Sequence, residues 1–247
     1  MHFLILFLFA ASISIPCAAM EKENIIVIAN KNVKESVFLA NYYMKKRGIS
    51  KKQRIDLKTV TNESCSRSEY KKNIAGPVHA YLMKRKTEPN ATCLVLIYGM
   101  PLKIADPDPG ERSTKKNLKS YYDTRAAVDS ELAMIYESDY PLSGWIENPL
   151  YKENMRKSLF VDKKNVFMVC RLDGPTLEIV QKIIDDSIET EKQGVQGNAC
   201  FDTRWPEENT GRMNAYTRFD KYIHMAAKKT IEKGLLPCKI DTTQLLF

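Results

Sequence analysis

The apolar positions of the chain fall into short blocks with two rhythms. Asn24 to Ala29 (NIIVIA), Cys93 to Ile97 (CLVLI) and Val166 to Cys170 (VFMVC) are near-continuous apolar runs of the kind that forms buried strands. Between the first two, Ser36 to Arg47 sets Val37, Ala40, Tyr43 and Met44 on one helical stripe, and Gly48 stands where a left-handed cap ends a helix. Arg54 to Val60 alternates Ile55, Leu57 and Thr59, which predicts a more exposed strand. A second helix is predicted from Ser68 to Lys86, kinked or split at Gly76-Pro77. Strand, helix, strand, helix, strand is the order that builds a parallel sheet with right-handed crossovers.

The second half continues this alternation around Val166 to Arg204. The run Val166 to Cys170 ends in Arg171-Leu172-Asp173-Gly174-Pro175, and Pro175 suits the first turn of a helix that extends to Lys192, with Leu177, Val180, Ile184 and Ile188 inward. Asn198 to Phe201 is a fifth strand ending in Asp202-Thr203-Arg204. A last helix, Tyr216 to Lys233, is predicted to turn Phe219, Tyr222, Ile223 and Ala226 inward, before a sixth apolar run from Leu235 to Ile240. The expected fold is α/β: a mostly parallel open sheet with helices on both faces, doubly wound. Arg125 to Tyr136 reads as a further helix with Ala127, Leu132, Ile135 and Tyr136 inward; Asp129 and Glu131 are two apart on it and point in different directions. Residues 103–124 and 139–164 break the pattern with prolines, glycines and charge, as lids, binding loops or plain connectors do. Within the second of these, Trp145 is either a plug beneath the loop or a stacking platform for a sugar or base.

Composition narrows the class. The 247 residues, 44% hydrophobic and 28% charged, suffice for one sizeable core, and residues 20–247 are expected to form a single α/β domain. Residues 1–19 hold no Asp, Glu, Lys or Arg and are apolar from Phe3 to Ile15, which predicts a signal peptide cleaved after Ala19, or an uncleaved anchor. No later run is long and apolar enough to cross a bilayer, so no transmembrane segment is expected after cleavage. The net charge of +8 lies outside the leader, in clusters at Lys45 to Lys58, Lys103 to Lys119 and Lys152 to Lys164. Because no nucleic-acid recognition motif accompanies them, they read as a solvated surface, and no nucleic-acid partner is expected. Past the leader stand Cys65, Cys93, Cys170, Cys200 and Cys238, spaced too irregularly for a zinc site. Cys93, Cys170 and Cys200 lie in apolar strand-like runs and read as small buried hydrophobes, although export would allow a bridge such as Cys65 to Cys93.

Candidate chemistry gathers at strand ends. Residues two apart on a strand share a face, so Arg171 with Asp173 and Asp202 with Arg204 are same-side charge pairs. Asn30 and Tyr98, at the ends of the first and third strands, would add an amide and a phenol to the same carboxyl edge. Such a crevice could hold a cation, orient a water or clamp an anion; equally, Arg171 could pair with Asp202 and Arg204 with Asp173 across neighbouring strands as scaffold. As a hydrolase site, Asp173 and Asp202 would serve as general base or metal ligands, Arg171 and Arg204 would hold an anionic group, and Asn30, Tyr98 and Trp145 would touch the substrate. Metal and cofactor remain unknown. There is no Cys–His dyad after adjacent strands, no nucleophile-elbow serine, no phosphate-cradling glycine loop and no zinc histidine pair.

Several spaced motifs in order, Val27-Ile28-Ala29-Asn30, Leu39-Ala40-Asn41-Tyr42-Tyr43, Arg47-Gly48-Ile49, Tyr98-Gly99-Met100-Pro101-Leu102, Ala127 to Leu132, Asn148-Pro149, Arg171 to Pro175 and Phe201 to Arg204, carry a resemblance through most of the chain past its leader. On them the chain resembles an uncharacterised family of exported bacterial proteins found in bacteria with exosortase-type envelope sorting systems. The resemblance implies a secreted or periplasmic location and an envelope or extracellular partner, protein or glycan; it supplies no activity. It also implies a longer C-terminus than this chain has. Two expectations follow: a hydrolase with a charged site at the carboxyl edge, or a non-catalytic envelope-binding or protein-sorting accessory module.

Overall fold

Five consecutive residues, Ile26 to Asn30, end up without solvent because both faces of the strand they form are covered. The computed structural model describes residues 20–85, 93–106, 125–137, 140–142, 146, 148, 165–205, 215–234 and 236–242. In it β1 (Ile25–Asn30) is buried from Ile26 onward, and β4 (Cys93–Ile97) along its whole length. These two pair in parallel at the centre of a four-stranded sheet whose order is β2-β1-β4-β7, with β2 (Arg54–Leu57) and β7 (Met168–Leu172) at its edges. Every pairing in that sheet is parallel, so each connection must cross over a face. The fold is α/β with a mostly parallel, doubly wound sheet.

Strand parity shows what lies on each face. Ile26, Ile28, Leu94 and Leu96 join Ile55 and Leu57 in a core closed by Tyr70, Ile74, Val78 and Leu82 and by Val128 and Leu132. The opposite parity, Val27, Ala29, Val95 and Ile97, is equally buried. Helix α1 (Lys34–Arg47) packs on β1 with Ser36, Leu39, Ala40, Tyr43 and Met44 inward, and ends at Gly48 in the left-handed conformation expected of it.

Gly76-Pro77 does not split the second helix. Short α2 (Arg67–Glu69) passes through a π-helical segment, Tyr70–Ala75, into α3 (Gly76–Lys84), and Ala75 and Gly76 both keep right-handed helical backbone. The wider register lets the Gly76 N–H bond to the Lys71 carbonyl, five residues back, which accommodates a proline without an N–H of its own.

Residues 103–124 begin with structure: β5 (Lys103–Ile104) pairs in parallel with β3 (Ser64–Cys65) and antiparallel with β6 (Ala126–Ala127). Ala127 is therefore an exposed strand residue and the following helix, α4 (Val128–Ala133), is only six residues long. The rest of that stretch and most of 139–164, with Trp145, lie outside the described residues, as does the leader 1–19.

Strand β7 starts two residues later than expected and is an edge strand, with Met168 54% exposed; Arg171 lies inside it. Helix α5 (Leu177–Gln193) begins after Thr176, whose hydroxyl accepts from the Ile179 N–H, so Pro175 precedes the helix. Val180 and Ile184 are its buried residues.

The chain divides into two compact units, Met1–Ile184 and Asp185–Phe247, at a point inside α5. In the second unit β8 (Ala199–Asp202) pairs in parallel with β9 (Cys238–Asp241) as a separate sheet, rather than as a fifth strand of the first. Helix α6 (Ala215–Glu232) contradicts the predicted stripe: Thr217, Asp220, His224 and Ala227 are buried, whereas Phe219 and Tyr222 are 67% and 62% exposed. The physical reason is the exit of β8, where the Asp220 carboxylate accepts the backbone N–H groups of Arg204 and Trp205 and His224 Nε2 bonds the Trp205 carbonyl.

Candidate functional site

The carboxyl ends of β1 and β4 flank the point where the strand order reverses, the usual crevice of an open α/β sheet. Here the protein fills it with its own groups. Asn30 is fully buried; its amide nitrogen donates to the Val60 and Gly99 carbonyls, each at 2.9 Å, and its Oδ1 accepts the Asn32 N–H at 3.1 Å. Its backbone N–H bonds Ser36 Oγ at 3.0 Å, and Asn32 in turn donates to the Thr59 carbonyl. Asn30 thus ties together the chain after β1, β2 and β4, and has no amide hydrogen left for a substrate. Gly99 is held at φ +81°, and a Cβ there would lie 2.9 Å from Val33 Cγ1. Tyr98 is half-buried, and its backbone N–H bonds the Leu172 carbonyl at 2.8 Å.

At the end of β7 the guanidinium of Arg171 is surrounded. Nε and Nη2 fork onto the two oxygens of Asp129 at 3.1 and 2.6 Å, while Nη1 and Nη2 donate to the carbonyls of Met100 and Pro101 at 3.0 and 2.9 Å. Asp173 Oδ2 stands 3.8 Å from Nη1, on the same side of the strand as its spacing required. Of the five N–H donors of an arginine, four are hydrogen-bonded here, and the fifth, on Nη1, has the Asp173 carboxylate as its charged neighbour at 3.8 Å. Arg171 is a clamp that fastens the exit of β4 and the start of α4 to β7. Asp173 is held less tightly: it is 30% exposed, and its Oδ1 accepts the N–H of Gly174.

Asp129 and Glu131 do diverge, and each grips its own arginine. On the other side of α4, Glu131 Oε1 lies 2.8 Å from Arg67 Nη1, with the two side chains 6% and 1% exposed. The Tyr140 hydroxyl donates to Glu131 Oε2. Arg67 Nε has no hydrogen-bond partner among the described residues. The small sheet makes the pair: Arg67 follows β3, Glu131 follows β6, and β5 joins the two strands. Burial, then the Glu131 charge, raises the Tyr70 phenol well above its ordinary range against the opposing pull of Arg67; burial and Glu131 raise Tyr140 likewise. Both phenols therefore stay protonated, and that of Tyr140 is the donor to Glu131.

The Cys65 and Cys93 thiols are not activated nucleophiles. Burial, then Glu69, pushes the Cys65 thiol up, and its Sγ leans on the Lys103 carbonyl at 3.6 Å. Cys93 is pushed up to about 12, by burial first and Cys170 second. Its sulfur neighbour is Cys170 at 4.0 Å, rather than Cys65, about twice the ~2.05 Å of a disulfide. A nucleophilic cysteine needs a lowered pKa, the opposite of what these surroundings impose.

With that geometry in view, the chain was compared with protein-family models, with curated proteins and with solved structures. Nothing matches it.

Of the residues expected to share one site, the structure gathers Arg171 and Asp173 and adds Asp129. Asp202 and Arg204 belong to the second unit, where the Arg204 guanidinium lies 5.4 Å over the Trp205 ring. Trp145 lies outside the described residues. Among the described residues no group of three or more His, Cys, Asp or Glu side chains could hold a metal ion, and no helix is long and apolar enough to cross a membrane. Sequence reasoning missed Arg67, Tyr70 and Tyr140: Arg67 stands in a polar run, Thr61 to Ser68, that no periodicity distinguishes from a surface turn.

Proposed function

We propose that this chain is an exported, non-catalytic binding module for an envelope or extracellular component. The observation that carries the reading is the engagement of Arg171: the residue best suited to hold an anionic substrate at the carboxyl edge spends four of its five donors on Asp129 and two backbone carbonyls. Asn30 supports it in the same way, since its amide joins three loops. A charged edge built of internal pairs is a rigid frame, and rigid frames display binding surfaces elsewhere on the fold. The apolar leader and the resemblance to exported envelope-associated proteins favour a secreted or periplasmic location.

The test is the melting temperature of the full chain, alone and with envelope glycans, envelope proteins and divalent cations, beside Asp173→Asn. A binding module gains stability with one component, and the variant gains as much. A hydrolase with its site on Asp173 would respond and turn over as wild type, and would lose turnover as Asp173→Asn without losing stability. That second result, or no shift with any envelope component, would sink the proposal.

A further inference from the structure

The outward face of α1 is aromatic where a surface helix is ordinarily polar. With Ser36, Leu39, Ala40, Tyr43 and Met44 turned to the sheet, the opposite face carries Phe38, Tyr42 and Lys46, successive members of one i, i+4 row. Phe38 is 48% exposed. Its ring lies 6.3 Å from that of Tyr42 with only 17° between their planes, and Lys46 Nζ sits 5.1 Å over the centre of the Tyr42 ring. One exposed phenylalanine needs no explanation. Two near-parallel rings capped by an ammonium form a preorganised platform, because each member fixes the next. Lys34 and Lys45 are exposed on the same helix, so the row has further cations beside it. At its flank Arg54 is held in place by Asn41 Oδ1 at 2.6 Å and by Asp56.

We infer that the Phe38–Tyr42–Lys46 row of α1 is a binding surface for an anionic polysaccharide, a polymer with about one carboxylate per sugar. The C–H face of a pyranose packs on a flat aromatic ring, and its carboxylate finds Lys34, Lys45 or Lys46. A single nucleic-acid strand also stacks on aromatics, but proteins that hold one track its phosphates along a basic groove. This row lies on the convex face of a helix and has Glu35 beside it, which suits a sparser charge. The inference deepens the binding reading above and rests on it for the absence of turnover alone.

The test is titration of the full chain with polygalacturonate, neutral dextran and oligothymidylate at low and moderate salt, using Phe38→Ala, Tyr42→Ala and Lys46→Gln. Alanine is a good helix former at the exposed Phe38 and the half-buried Tyr42, and a retained cooperative urea transition verifies that each variant keeps the fold. Polygalacturonate is expected to bind with salt sensitivity, dextran to bind at least tenfold more weakly, and each aromatic variant to lose tenfold or more. Equal binding by wild type and both aromatic variants would overturn the surface while leaving the binding reading in place. Release of new reducing ends from polygalacturonate, lost in Phe38→Ala, would keep the surface and overturn the non-catalytic reading instead. Preference for oligothymidylate, no binding of polygalacturonate, or a dimer that Phe38→Ala dissociates would each overturn the inference.

Discussion

Replacing Glu131 by glutamine isolates the charge of the most buried ion pair among the described residues of the first unit. Glu131 is 5% exposed and Arg67 1%, at 2.8 Å, so neither can turn to water when its partner is lost. Glutamine keeps the size of the side chain and can still accept from the Tyr140 hydroxyl, but it leaves the guanidinium charge uncompensated inside the protein. Breaking a buried pair from one side costs about 3 to 5 kcal/mol. For a chain of this size, with a urea dependence of about 2 to 3 kcal/mol per molar, that moves the midpoint down by roughly 1 to 2.5 M. The exposed pair of Lys229 and Glu232, at 3.3 Å with both side chains more than 60% exposed, provides the control: Glu232→Gln should cost no more than about 1 kcal/mol. Replacing both buried partners, Arg67→Met with Glu131→Leu, should restore most of the loss, since apolar pairs of similar volume commonly match a buried ion pair. Urea titration followed by far-ultraviolet circular dichroism measures all four proteins. A Glu131→Gln loss below about 1 kcal/mol, or a double variant no better than the single one, would refute the reasoning that a desolvated charge is held here.

Three further outcomes are expected. Asn30→Asp replaces two donors by acceptors facing the Val60 and Gly99 carbonyls, and should cost at least about 2 kcal/mol in the same urea assay; a neutral result would mean that these bonds do not hold the loops. Gly99→Ala meets both a left-handed backbone and Val33, whereas Gly48→Ala, at φ 64° with open space around it, meets only the backbone penalty of about 1 kcal/mol; Gly99→Ala should cost more, and Val33→Ala should relieve only the excess. Cys93 keeps its proton up to about pH 12 when folded but loses it near 9 when unfolded, so its contribution is fully present below pH 9 and falls as pH climbs toward 12, by at most about 1.4 kcal/mol per pH unit. Urea midpoints measured from pH 8 to 11 should therefore decline more steeply in wild type than in Cys93→Ala, and parallel declines would remove the thiol as their cause.

What could be read from the sequence is what short-range physics dictates. The strand Cys93–Ile97 was legible to the residue because an unbroken apolar run admits few alternatives, and the cap of α1 because Gly48 is the one residue there that takes φ 64° without penalty. Same-side placement of Arg171 and Asp173 follows from the two-residue period of a strand and was legible too. Partners were not. Arg171 meets Asp129 from 42 residues away, and Arg67 meets Glu131 across three two-residue strands too short to leave a periodic trace. The last helix fails for the opposite reason. Its apolar stripe was legible, but the buried side is chosen by Asp220 and His224, because the backbone groups at the exit of β8 need partners.

The same distinction explains why charge at a strand end was an ambiguous sign of chemistry. A carboxylate beside a guanidinium looks alike in sequence whether it waits for a ligand or closes the structure, and only the tally of donors separates the two. Arg171 has four of its five donors hydrogen-bonded, and Asn30 has both amide hydrogens engaged, so these polar groups act within the fold. The row of Phe38, Tyr42 and Lys46 differs in kind. Its rings stack on one another with Phe38 48% exposed, and removing Phe38, on the outward face of a helix, would break no ladder of strands. A group that the fold does not need, yet holds in one geometry, is where a recognition role is most economically sought. The clamps around α4 make the complementary case, being costly to remove and already occupied.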